Sequence, residues 1–170
     1  MNAFMKITRW AAIGGQVAFV LGVVAAGNAI AAIPTEGTYD FTSCWSGVAN
    51  QIEFGKEYTA LSYEMTGSTR SNPPGGLFDQ NSFRCVGSNA SLNGRRSSML
   101  TCETVDPDGD KRLIYFSVQG DQVIRENVTG TGKYEGMVAS GTVKMLPPFP
   151  TVKPGTFQAC NHQTGTYKLK

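Results

Sequence analysis

The dipeptide Asn93-Gly94 constrains the fold of this chain more than any other feature, because it sets a register. Both central residues of a type I′ turn must accept positive φ, and Asn-Gly suits that requirement best. With Asn93 and Gly94 in the turn, Leu92 and Arg95 close it as a hydrogen-bonded pair, and residues facing each other across the hairpin sum to 187. Cys85 then stands opposite Cys102. Counting outward, this is a non-hydrogen-bonded pair, where antiparallel strands approach most closely and a cross-strand disulfide fits. The chain has four cysteines, so Cys44 pairs with Cys160 by elimination. No two cysteines have the short spacing of a metal site, and His162 is the single histidine, so a metal is not expected.

The second disulfide joins the first strand of the body to the last. That proximity arises when an antiparallel meander closes on itself, which also removes exposed sheet edges. A single antiparallel β-barrel with two disulfides is therefore the expected fold, and a β-sandwich with neighbouring terminal strands is the alternative. Composition agrees: after residue 32 the chain is rich in Thr, Val, Tyr, Phe and Gly and has no long run with helical apolar spacing. Strands are predicted near 38–46, 51–55, 58–66, 82–91, 96–105, 111–119, 122–129, 133–145 (bent near Gly141) and 155–169.

Residues 1–32 read as a cleavable signal peptide. Lys6 and Arg9 precede an apolar run strongest over 17–26, and small residues gather at 28–32 before Pro34. Gly14, Gly15, Gln16 and Asn28 interrupt what a retained membrane span would need, so no stable span is expected once the segment is removed. The predicted product, residues 33–170, is one domain in an oxidising periplasmic or extracellular location, reached by the general secretory route. The segment 1–32 holds two of the 15 Lys and Arg and none of the 13 Asp and Glu, which leaves 13 of each in the product. The basic balance of the whole chain therefore gives no reason to expect a nucleic-acid partner.

Two further turns, Asp108-Gly109 and Gly120-Asp121, fit two-residue hairpins with pair sums of 217 and 241. Followed through all three hairpins, the register places Cys85, Cys102, Tyr115 and Glu126 in one row on one face, with Thr101, Phe116 and Arg125 on the other. Both faces mix apolar and charged residues, so the pattern does not say which is interior.

The segment Gly130-Thr131-Gly132-Lys133-Tyr134-Glu135-Gly136, with the later Gly141-Thr142, lacks the glycine spacing and following helix of a nucleotide loop, and no cofactor is expected. It resembles a signature of small bacterial exported proteins related to the allene oxide cyclase and dirigent type of calycin-like barrel. The resemblance covers these roughly fifteen residues directly and the rest only in strand order; the Pro-rich segment after Met145 departs from the pattern. It implies an eight-stranded barrel around an apolar cavity, in a group where a few members cyclise or guide hydrophobic intermediates. No catalytic residue of the cyclases maps onto this chain.

Other features have plainer readings. Asp106-Pro107-Asp108-Gly109-Asp110 lacks the sixth-position Gly and twelfth-position Glu of a calcium loop and reads as a polar hairpin tip. The stretch 146–155 is a rigid Pro-rich loop, with a rim or lid over the barrel mouth, Phe149 exposed, as a second reading. His162 has no nucleophile to pair with and is assigned to structure or surface. Asn89 and Asn127 begin glycosylation-type triplets that fall within predicted strands. The one pair with catalytic potential is Tyr115 and Glu126, directly opposite each other. An interior position would desolvate the carboxyl and suit it to proton transfer, whereas an exterior one makes an ordinary solvated pair. Three functions stay open: a non-enzymatic barrel binding a small hydrophobic ligand or serving as an envelope interaction protein, a cyclase- or isomerase-like enzyme, and a secreted inhibitor or host-interaction protein.

Overall fold

The computed structural model describes residues 33–119 and 122–170, so the predicted signal peptide lies outside the described residues. Eight strands follow in chain order: β1 (Glu36–Glu53), β2 (Tyr58–Ser71), β3 (Ser82–Leu92), β4 (Arg95–Val105), β5 (Lys111–Gln119), β6 (Gln122–Gly130), β7 (Val138–Met145) and β8 (Thr156–Lys168). All neighbours are antiparallel, in the order β6-β5-β4-β3-β2-β1-β8-β7. Read cyclically this is a simple meander, in which only the seam between β6 and β7 lacks ladder hydrogen bonds. The result is a nearly closed barrel.

β1 is the hub, pairing with β2 along one side and β8 along the other. It spans the two strands predicted separately at 38–46 and 51–55, because nothing in the intervening Ser46–Asn50 interrupts the alternation of inward and outward residues. Cys44 and Cys160 face each other in the β1–β8 ladder and Cys85 and Cys102 in the β3–β4 ladder, with both bonds formed and Cα atoms 4.1 Å apart in each. The Asn93-Gly94 register is as expected, with Leu92 facing Arg95 and positive φ at both turn residues.

The β4–β5 connection corrects the expected two-residue hairpin. Val105 pairs with Lys111, leaving a five-residue loop, because one Asp106 carboxylate oxygen accepts from the backbone N–H groups of Asp108 (2.9 Å) and Asp110 (3.0 Å). The side chain adds to two backbone bonds of the loop, from the Asp106 N–H to the Asp110 carbonyl (3.0 Å) and from the Gly109 N–H to the Asp106 carbonyl (3.0 Å). The pair sum becomes 216, and Cys102 faces Ile114 instead of Tyr115. A one-residue change of register exchanges the two faces of every strand beyond it. Tyr115 and Glu126 do face each other, as the β5–β6 turn predicts, but they leave the row of Cys85 and Cys102.

The predicted strand over 133–145 begins only at Val138. Residues Gly132–Tyr134 form a 3-10 turn instead, which carries the chain from β6 to β7 and turns Tyr134 into the barrel end, where it is buried.

Candidate functional site

Alternation decides what faces the lumen. Tyr39, Phe41, Ser43 and Trp45 of β1 point inward, as do Met65 of β2, Cys85 of β3, Cys102 of β4 and Ile114 of β5. The Cys85–Cys102 disulfide thus lies on the inner wall. Cys44 projects outward, so the Cys44–Cys160 bond braces the outer surface.

The two ends of the lumen differ. At the end that carries the 72–81, 106–110 and 131–137 connections, Tyr39, Phe41, Leu77, Phe78, Tyr134, Met137 and Tyr167 form a closed plug. Phe78 sits at its centre, with the rings of Tyr39, Phe41, Tyr134 and Tyr167 at centroid distances of 5.1, 5.4, 6.3 and 6.5 Å. The phenol of Tyr134 donates to the carbonyl of Leu77 (3.1 Å), and burial pushes its pKa up to about 12. Next to it Lys133 places Nζ 2.8 Å from the Asp106 carboxylate, with Asp108 also in contact. The glycine-rich motif is thus a plug for the barrel end, with Tyr134 as stopper and Lys133 as tie to the acidic loop. Gly141, the last glycine of the motif, serves a different purpose. A Cβ there would lie 2.4 Å from the Tyr39 hydroxyl, so glycine is needed for β7 to pass that side chain.

Above the plug the lumen is a cavity of about 960 Å³, extending toward the turns at 54–57 and 93–94 and the loop at 146–155. Its wall is mainly apolar, with Trp45, Tyr63, Leu100, Phe116 and Phe157 among the lining residues. Three cross-strand pairs keep it open. Gly47 faces Phe157, Gly67 faces Phe83 and Gly87 faces Tyr63, and a Cβ on any of these glycines would come within 2.6 Å of the partner ring. The rings lie down along the wall over the glycines and leave the centre clear. The Gly67–Phe83 and Gly87–Tyr63 pairs escape a reading of the sequence because the β2–β3 connection, residues 72–81, is too long to set a register, whereas Gly47–Phe157 lies in the register of the Cys44–Cys160 pair.

Two cations stand where the cavity meets the plug. Arg112 is 4% exposed; its Nε donates to Thr104 (3.3 Å), and its guanidinium lies 4.0 Å from the Phe78 ring centroid and 5.1 Å from that of Tyr134. Burial and, to a smaller extent, the Arg125 charge lower its pKa to about 10, against raising effects from Tyr134, Tyr39 and Asp106; it remains a cation at neutral pH. Arg125 comes from β6. Its Nη1 donates to the Tyr39 hydroxyl (2.9 Å), which in turn donates to the backbone carbonyl of Ser140 on β7 (3.2 Å), a link across the open seam.

The sequence-predicted residues fall elsewhere. Glu126 is exposed and Tyr115 half-buried, with both on the face opposite the inward-pointing Ile114, Phe116 and Arg125. The structure brings them together, but outside the cavity. His162 lies on the outer wall with Nε2 2.8 Å from Asp40. Phe149 lies in an outer groove beside the Cys44–Cys160 bond, and Gln158 donates to the Pro150 carbonyl (3.0 Å), so the Pro-rich loop folds back on the wall and Phe149 is not a lid. Asn89 lines the cavity and accepts from Ser98.

Among the described residues no cluster of three or more His, Cys, Asp or Glu could hold a metal, and no helix is long and apolar enough to cross a membrane. None of the described residues lining the cavity is an acid or a histidine. Two disulfides in one small domain indicate an oxidising compartment and hence an exported protein. No protein-family model matches the chain, and comparison with curated proteins and with solved structures gives no match.

Proposed function

We propose that this protein is exported through the general secretory route to the periplasm or the medium, and there binds a small hydrophobic molecule in the lumen of its barrel. The observation that carries the reading is the cavity of about 960 Å³ with its wall of aromatic and aliphatic side chains. Its volume lies at the upper end of the range for small-molecule sites, about 300–1,000 Å³, and such sites are largely apolar with a few placed polar groups. The glycine–aromatic pairs support the same reading, since an interior selected for stability alone would be filled. The resemblance of the 130–142 segment to exported calycin-like barrels fits it as well.

The cyclase-like alternative draws less support. Carboxylates and imidazoles, the commonest groups for moving a proton, are missing from the described lining, and Tyr63 is the acid–base side chain that it offers. A role in protein interaction is favoured by a different observation, the exposed Ile52, Phe54 and Val152 around the open end.

Neighbouring residues on β4 provide the test, because Leu100 lines the cavity and Met99 is exposed. A neutral fluorophore such as N-phenyl-1-naphthylamine is expected to bind the native protein and the Met99→Trp variant alike, while Leu100→Trp, which fills the lumen, weakens binding by about tenfold or more. Equal binding to all three would refute the luminal site.

A further inference from the structure

Arg112 and Arg125 go beyond what a purely apolar ligand requires. Each lines the cavity, and each has a buried nitrogen without a hydrogen-bond partner: Nη1 of Arg112 and Nε of Arg125. Among the described residues neither guanidinium forms an ion pair. Asp106, whose charge reaches Arg112, is engaged by Lys133. A buried cation normally has a carboxylate beside it, because removal from water costs several kcal/mol that only a close anion and full hydrogen bonding return. Here two cations stand together, partly satisfied by Thr104, Tyr39 and aromatic faces, at the inner end of an apolar chamber with no acid among the described residues of its wall.

We propose that these arginines form a head-group site and that the ligand is an amphipathic carboxylate: an apolar body lies along the aromatic wall, and its carboxylate accepts hydrogen bonds from Arg112 and Arg125. A guanidinium presents donors in a planar fork that matches a carboxylate, and a charge-assisted bond in a water-poor chamber is stronger than its counterpart in water. From Thr104, which holds Arg112, to Ser98 near the mouth, β4 advances about 20 Å at a strand's rise, which suits a medium-length chain. The inference rests on the ligand-binding reading above and adds to it the charge and orientation of the ligand, with the head at the plug and the tail toward the mouth.

The test compares dodecanoate, dodecanol and dodecylammonium, each displacing the neutral fluorophore from the native protein and from Arg112→Met, Arg125→Gln and Arg84→Gln. Arg84 serves as the charge control, being paired with Glu64 on the outer wall. The native protein and Arg84→Gln are expected to bind dodecanoate about tenfold or more tighter than dodecanol, and dodecylammonium most weakly. Arg112→Met and Arg125→Gln are expected to lose most of that preference while their affinity for dodecanol stays within about twofold, which also shows that the barrel remains folded. If Arg112→Met does not fold, Arg125→Gln decides alone. Equal binding of dodecanoate and dodecanol by the native protein, or an undiminished preference in the arginine variants, overturns the head-group site and leaves the apolar site standing. Failure of the fluorophore and all three ligands to bind overturns the ligand-binding reading itself.

Discussion

The two ends of the lumen are built on the same strands and filled in opposite ways. At the closed end Phe78 is surrounded by four aromatic rings, and Tyr134 and Leu77 seal it from below. A few residues further along the same strands, aromatic side chains of similar size are spaced by Gly47, Gly67 and Gly87 and lie flat around a void. Residue type does not separate the two regions, since both are aromatic-rich. A glycine across from the ring does not separate them either, since within the plug Tyr39 faces Gly165 and Tyr167 faces Gly37. What does is that the connections 72–81 and 131–137 send Leu77, Phe78, Tyr134 and Met137 into the closed end, while the chamber is lined by strand residues around an open centre. Stability should therefore be concentrated at the plug, and the chamber wall should tolerate change.

The largest expected effect lies at the plug. Phe78→Ala should destabilise by about 4 kcal/mol, since it opens a hole that the surrounding rings cannot close, whereas Leu100→Ala on the chamber wall should cost about 1 kcal/mol because it only enlarges an existing void. Chemical denaturation of both variants measures the difference; equal losses would break the contrast between the two ends.

A smaller effect is expected from the acidic loop that ties down the plug. Burial alone would raise the Asp106 pKa, but the Lys133 ammonium beside the carboxylate and the backbone N–H groups that donate to it outweigh that and hold the value below that of an ordinary aspartate. A carboxyl with a depressed folded-state pKa stabilises above its unfolded value, near pH 4, and that contribution is lost as the pH falls through the folded value. Asp106→Asn should lower stability at neutral pH by about 2 kcal/mol and flatten the acid limb of the stability profile. Melting curves from neutral pH down to about pH 2 test this; an acid limb unchanged in the variant would contradict it.

The smallest effect is expected at Tyr115 and Glu126. Because this pair lies on the outer surface, Glu126→Gln should change stability by less than about 0.5 kcal/mol and leave fluorophore binding as it is. Loss of binding would place a carboxylate in the ligand path after all.

That pair also shows where the sequence is legible and where it is not. Turn chemistry is local, so Asn93-Gly94 predicts a register, the register predicts the Cys85–Cys102 bond, and the cysteine count predicts Cys44–Cys160 and the meeting of first and last strands. The Asp108-Gly109 turn misleads because Gly109 takes its positive φ in a longer loop, closed by backbone bonds from Asp106 to Asp110 and from Gly109 to Asp106 and reinforced by the Asp106 side chain. One residue of register then exchanges the faces of β5, taking Tyr115 out of the lumen and Arg112 into it. Arg125 and Phe116 do share a face, as predicted, but only the closed lumen makes that face the interior. The plug role of Gly130–Gly136 is equally invisible locally, since it depends on Tyr134 meeting Phe78 from a connection more than fifty residues away.

Trp45 offers the most direct test of the central claim, that the lumen above the plug is a ligand site. It lines the cavity, and Trp10, the chain's other tryptophan, falls within the segment removed on the proposed export, so the exported protein has Trp45 as its single reporter. Titrated with dodecanoate at constant ionic strength, its emission should shift to shorter wavelength and saturate at one ligand per barrel. Emission that stays constant, or that drifts without saturating, would contradict the account.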